Sequence, residues 1–153
     1  MRSEYREAGR FERLTFTEET FYDCDFSDCT FIDCTFESCK LDHSVFTECQ
    51  FVRCTITGMK TTMSRAKFID FEDCTLHNIE WMSLQGDGAF ADPVDHVKNC
   101  RLKYNTFTEM NLKKFRFAGN VIQRSMFAKC DLAGADFAHC DLQDTEFFQC
   151  DMR

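Results

Sequence analysis

Hydrophobic residues in this chain return at every fifth position. From Phe11 the series Phe16, Phe21, Phe26, Phe31, Phe36, Leu41, Phe46, Phe51 and Ile56 is unbroken, and the frame runs on through Thr61, Ala66, Phe71, Leu76 and Trp81. It resumes one residue out of phase at Val97 and continues as Leu102, Phe107, Leu112, Phe117, Ile122, Phe127, Leu132, Phe137, Leu142, Phe147 and Met152. Of these 27 central positions 25 carry Phe, Leu, Ile, Val, Met or Trp, and 14 of the 18 Phe lie there, so one packing environment is reused along the chain. A second series precedes each central residue by two. All eleven Cys occupy it, as Cys24, Cys29, Cys34, Cys39, Cys49, Cys54, Cys74, Cys100, Cys130, Cys140 and Cys150. Its other occupants are mostly small or apolar, such as Ser44, Met59, Ile69, Ile79, Met110, Ser125 and Ala135.

This period excludes a helix. Five steps of about 100° rotate a side chain by about 140°, so successive Phe would spiral over the whole helix surface. Within each unit the two inward slots are two residues apart with a polar residue between them, which is the alternation of a very short strand. Each unit therefore predicts one short extended side followed by a change of direction, and units that each bury two side chains and then turn must wind round a common axis.

The stretch from Cys24 to Leu41 reads as unbroken pentapeptide repeats, and Cys130-Asp131-Leu132-Ala133-Gly134-Ala135-Asp136-Phe137 is close to the A-D/N-L-x-x form of that family. Over Phe11 to Met152 the chain resembles the pentapeptide-repeat proteins. The resemblance implies an all-β fold, a right-handed quadrilateral parallel β-helix in which four repeats make a coil of twenty residues. Coils stack at about 4.8 Å, giving about seven coils and a rod roughly 30 Å long. One domain, 1–153, is expected, with repeats over about 9–84 and 95–153 and a loop at about 85–96. The expected core is Phe21, Phe26, Phe31, Phe36, Phe46, Phe51, Phe107, Phe117, Phe127 and Phe137, with Cys24, Cys29, Cys34, Cys54 and Cys74 in columns beside the rings.

The pattern fails between Trp81 and Leu102, where Gly86, Gly88 and the sole Pro, Pro93, fall. Gly and Pro interrupt strands, so a loop bulging from the coil is expected. The net insertion is one, six or eleven residues, depending on where the chain rejoins. Loops on rigid scaffolds commonly carry recognition, which makes Asp87, Phe90, Asp92, Asp95 and His96 the candidate interaction loop. The alternative is a surface insertion without function.

Composition adds charge. The net charge of −8 argues against simple affinity for nucleic-acid phosphates or anionic lipid. Its distribution is uneven: Phe16–Gln50 holds nine acidic residues and one basic, His96–Lys129 eight basic and one acidic, and Asp131–Asp151 six acidic and no basic. The polar N-terminus has no signal-peptide pattern and no eighteen apolar residues occur together, so cytoplasmic location, no membrane and reduced thiols are expected.

Chemistry is not encouraged. Cys29 and Cys34 would lie on different sides of a coil, and Cys34, Cys54 and Cys74 would form a column; neither converges on a tetrahedral metal site. Core packing is the better reading, since free Cys behaves as a small buried hydrophobe. The four His, at 43, 77, 96 and 139, fall at outward positions or in the loop, and no nucleotide-binding motif is present. No catalysis, metal or cofactor is expected.

Two functional readings remain. The resemblance extends to the quinolone-resistance and albicidin-immunity branch, through Cys74-Thr75-Leu76-His77-Asn78-Ile79-Glu80-Trp81 just before the loop and Tyr104 to Phe107 after it. It implies a DNA-mimicking protein that binds DNA gyrase or topoisomerase IV and protects it from inhibitors, with Asp23, Asp28, Asp33 and Glu48 as the candidate acidic face. The basic belt from Lys98 to Lys129 departs from an all-acidic surface. The branch also pairs two rods end to end through a C-terminal helix, whereas this sequence stops at Asp151-Met152-Arg153, still in repeat, so a homodimer of that kind is left open. The second reading is a generic protein-interaction scaffold with no topoisomerase role.

Overall fold

A computed structural model describes residues 1–84 and 93–153, which form a parallel β-helix of nearly seven four-sided coils. Strands of mostly three residues stack on those one coil away. Side one carries Tyr5–Glu7, Asp25–Ser27, Val45–Thr47 and Arg65–Lys67; side two carries Arg10–Glu12, Thr30–Ile32, Gln50–Val52, Ile69–Glu72 and Val94–Lys98. Side three runs from Thr15–Thr17 through Thr35–Glu37, Thr55–Thr57, Thr75–His77 and Arg101–Lys103 to Val121–Gln123. Side four holds Thr20–Tyr22, Lys40–Asp42 and Lys60–Thr62, and continues through the Glu80–Thr106 bridge into Thr106–Thr108, Met126–Ala128 and Glu146–Phe148. Pairing begins with the Arg2–Tyr22 bridge, so the coil starts ahead of the repeat frame expected from about residue 9.

Away from the interruption, every corner is turned by one residue with a left-handed backbone, two positions after the central residue. Asp23, Asp28 and Asp33 have φ of 54°, 54° and 53°, and the series continues through Ser38, His43, Glu48 and Arg53 to Gln149. Such a conformation costs a non-Gly residue about 1–2 kcal/mol, and Asp and Asn tolerate it better than most. Gly58, Gly119 and Gly134 fill the same slot.

Central rings stack directly over one another. Phe31 lies 4.8 Å from Phe51 at 6°, Phe107 4.4 Å from Phe127 at 5°, and Phe127 5.1 Å from Phe147 at 3°, while neighbours round the coil meet edge to face. These contacts add to the burial of the rings, about 0.5–1.5 kcal/mol per pair. Phe21, Phe26, Phe31, Phe36, Phe46, Phe51, Phe107, Phe117 and Phe127 are buried, as are Cys24, Cys29, Cys34, Cys54 and Cys74; Phe137, in the last coil, is half-buried.

The slot before each central residue does more than pack. Ser44 Oγ accepts from the Cys24 N–H at 3.0 Å and donates to the Phe21 carbonyl at 2.8 Å, both in the preceding coil. Asn105 does the same with its amide, accepting from Ile79 N–H at 3.0 Å and donating to Leu76 O at 2.9 Å, and Asn120 with Cys100 N–H and Val97 O. Cys74 Sγ bridges Cys54 N–H and Phe51 O in the same way. The slot was expected to be apolar filler. It instead closes a corner of the neighbouring coil, and Asn105 and Asn120, buried at that slot, were the sequence signal for this.

The interruption is six residues long. Phe71 pairs with Val97, Leu76 with Leu102 and Glu80 with Thr106, 26 positions apart instead of the 20 found elsewhere. One of the six is a bulge at Asp95, because Ile69 pairs with Val94 but Asp70 pairs with His96. The regular strand thus restarts at Val94, inside the expected loop of 85–96. The Trp81–Leu84 turn leads into the interruption, and Trp81 stacks on Phe107 at 5.9 Å and 8°, carrying the ring column across it.

Candidate interaction surface

A filled core leaves chemistry to the outer walls. A partly open cavity of about 60 Å³ is lined by apolar side chains, among them Leu41, Phe46, Met59, Ala66, Phe71 and Trp81, where Ala66 stands in place of a larger central residue. Burial pushes the Cys49 thiol up to about 12, and Cys54 is raised by its hydrogen bond with Cys74 and by burial. The thiolate, the nucleophilic and metal-binding form, is therefore suppressed at Cys49 and Cys54, whereas Cys100, further along the Cys54 column, is shifted down by its hydrogen bond with Cys74. No described helix is long and apolar enough to cross a membrane.

Of the candidate loop, Asp87, Phe90 and Asp92 lie outside the described residues. Asp95 and His96 belong to the strand Val94–Lys98, and the bulge brings them against Asp70 of the previous coil. His96 Nδ1 lies 2.8 Å from Asp70 Oδ1 and 3.5 Å from Asp95 Oδ2. The hydrogen bond that His96 donates to the Asp70 carboxylate raises the His96 pKa above its ordinary value. The ligand atoms of the three side chains lie within 4.8 Å of one another, with Asp95 and His96 exposed and Asp70 half-buried, and the group serves as an ion-pair cluster linking two coils.

The proposed acidic face does not exist as a face. Asp23, Asp28 and Asp33 occupy three successive corners, and only Glu48 shares a corner column, that of Asp28. A spacing of five moves a residue to the next side, so these carboxylates are dispersed round the rod. Their residue type answers to the left-handed corner they occupy. Several are also partnered: Tyr5 Oη donates to Asp23 at 3.2 Å, and Arg53 binds Asp33 at 2.8 Å, which holds the Asp33 carboxyl below the usual range. In the last coils Asp131, Asp136, Asp141 and Asp151 each accept a hydrogen bond from the backbone N–H two residues ahead, at 2.9–3.1 Å. Arg153 holds the Asp151 carboxyl down at about 2.

The basic belt likewise encircles the rod. Lys98 and Arg116 are on side two, Arg101 and Lys103 on side three, Lys113 on side one, and Lys114, Arg124 and Lys129 at corners. Charge is thus sorted along the axis rather than by side.

These features define a closed-core parallel β-helix whose chemistry lies on its outer walls. The repeat pattern of the pentapeptide-repeat family matches this chain in eight copies, over residues 21–58 and 121–153. Among solved structures, the chain is similar to a trypsin-treated variant of QnrB1, a plasmid-mediated fluoroquinolone resistance protein, with 17% identity, a TM-score of 0.51, and 96% of this chain and 90% of that one covered. At that identity the likeness is one of fold. Full-length QnrB1 aligns with 16% identity and a TM-score of 0.41 over 94% and 93% of the two chains, and Rfr23 from the cyanobacterium Cyanothece 51142 with 9% and 0.36 over 97% and 91%. No curated protein matches.

Proposed function

We propose that this protein is a non-catalytic binding rod that engages a protein partner through its outer walls, and that the partner is a type II topoisomerase, DNA gyrase or topoisomerase IV. The observation that carries the first part is the ring-filled core: stacked rings occupy the axis and the cavity beside Ala66 is small and apolar, so among the described residues the axis offers no room for a substrate. Supporting the second part is the shared coil architecture with a fluoroquinolone resistance protein over nearly the whole chain.

A gyrase supercoiling assay with and without ciprofloxacin tests the topoisomerase part. Protection or inhibition at micromolar protein is expected, and deleting residues 85–92 should reduce it; neither effect at any concentration would remove topoisomerase as the partner. A second reading, a general interaction scaffold, is favoured by one observation. The carboxylates that would imitate DNA are spread over three corners or engaged with the backbone, so charge mimicry has no single surface to act from. Topoisomerase-independent capture of another protein, with the supercoiling assay silent, would establish that reading.

A further inference from the structure

Side two differs from the others in the order of its outward residues. From the second coil to the last, the column following its central residues reads Ile32, Val52, Glu72, Lys98, Ala118, Ala138, an acid and a base flanked by apolar residues. In the first coil Arg10, Glu12 and Arg13 stand on this side, Arg10 paired to Glu12, outside those six coils. The column preceding them reads Thr30, Gln50, Asp70, His96, Arg116, Asp136. At the adjoining corners stand Asp28, Glu48 and Phe68 below the bulge with Lys114 and Gly134 above it, and Asp33, Arg53 and Asp73 below Asn99, Gly119 and His139.

Turning one rod end for end about an axis between Glu72 and Lys98 superimposes this pattern on its own complement. Glu72 then opposes Lys98 of the second copy, twice by symmetry; Asp70 opposes His96, Glu48 opposes Lys114 and Asp33 opposes His139. Val52 meets Ala118 and Ile32 meets Ala138, while exposed Phe68 faces the bulged corner. No two like charges are opposed among these positions. An isologous interface requires self-complementarity of this kind, and charge matching of this sort sets register and suppresses wrong pairings.

We propose that side two is a self-recognition surface on which a second copy of this chain docks side by side and antiparallel. Six coils span about 29 Å and a three-residue strand about 10 Å, so the contact belongs to the small, transient class of interface. The proposal is independent of the topoisomerase reading.

Sedimentation velocity from about 5 µM to about 500 µM protein, the range suited to a contact of this size, tests it at low salt and at about 0.5 M salt. A dimer weakened by salt is expected. Glu72→Lys alone and Lys98→Glu alone should each weaken it roughly tenfold, since each turns two attractions into repulsions. An equimolar mixture of the two variants should recover it, because every opposed pair is then again of opposite sign. Unchanged melting temperatures would show that both variants fold. A monomer throughout the range, a dimer indifferent to either reversal, or a mixture that fails to recover would overturn the proposal.

Discussion

The corners of coils two to six and those of the last coil are turned by the same left-handed residue but held in different ways. At Phe21–Cys24 and Leu76–Ile79 the corner stays open, and a polar side chain from the next coil, Ser44 or Asn105, bridges its free N–H and carbonyl. In the last coil the amides of Ala135, Cys140 and Thr145 bond the carbonyls of Leu132, Phe137 and Leu142 at 2.9–3.2 Å, closing each turn on itself. Leu112–Phe115 closes in the same way, and the residue above it, Ala135, has no polar atom to offer. Self-closure follows the residue before the turn more than the coil above. Among the described residues, four of the five self-closed turns come after Asn111, Asp131, Asp136 or Asp141, whose side chains accept from the backbone N–H two residues ahead, whereas Phe46–Cys49 and Ile56–Met59, under Ile69 and Ile79, do not close on themselves. Bridging and self-closure are two routes by which buried backbone groups are paired.

The largest effect should come from breaking a bridge where both partners are sealed. Asn105→Leu leaves the Ile79 N–H and the Leu76 carbonyl without their side-chain partner and should destabilise the fold by about 2–4 kcal/mol in urea unfolding. Asn105→Ser, which keeps a donor and an acceptor in the slot as Ser44 does, should recover most of that loss. Ala135→Ser, above a self-closed turn, should change stability by less than about 0.5 kcal/mol. A cost for Ala135→Ser equal to that of Asn105→Leu would erase the distinction between the two kinds of corner.

Ser44→Ala removes one smaller bridge, to Cys24 N–H and Phe21 O. A loss of about 1–2 kcal/mol is expected by the same measurement. A neutral result would mean that this corner can close on itself when the bridge is absent, as the last coil does.

The coil architecture could be read from the sequence because a five-residue period imposes it at every position, so the placement of Phe31 or Phe127 is stated many times over. The bridging slot was misread because all eleven Cys occupy it, mostly among small or apolar residues, and Cys looks like filler; its hydrogen-bonding use shows only when Ser44, Asn105 and Asn120 are seen sharing its position. The supposed acidic face failed for a geometric reason. Adjacency in sequence at a spacing of five means a different side of the rod, and Asp23, Asp28 and Asp33 reflect corner conformation more than a shared surface. The length of the interruption was undetermined because one, six and eleven residues all preserve the outward pattern, and only the Asp95 bulge, with the pairing of Phe71 to Val97, selects six.

Ala66 marks a third, milder contrast, between fully packed coils and one with a gap of about 60 Å³. Filling it with Ala66→Leu should raise stability by about 1 kcal/mol and lift the melting temperature. A loss instead would show that the surrounding rings do not leave a leucine-shaped space.

The smallest effect separates the two coils that flank the interruption. His77 has its pKa lowered by burial and by Lys103, whereas His96 has its pKa raised by the hydrogen bond it donates to Asp70. An unfolded histidine titrates near about 6.5. For His96 the folded state holds its proton longer, so the stability it contributes is complete below that value and is lost as pH rises through its higher folded pKa. For His77 the sign reverses: its contribution is present above about 6.5 and is lost as pH falls towards its lower folded pKa. The two trends oppose each other in global stability and should be distinct in an NMR titration of the imidazole resonances. Asp70→Asn should bring His96 back towards the ordinary value and leave His77 where it is. Movement of both together would mean that the flanking coils are electrostatically coupled across the bulge, rather than each being set by its own immediate neighbours.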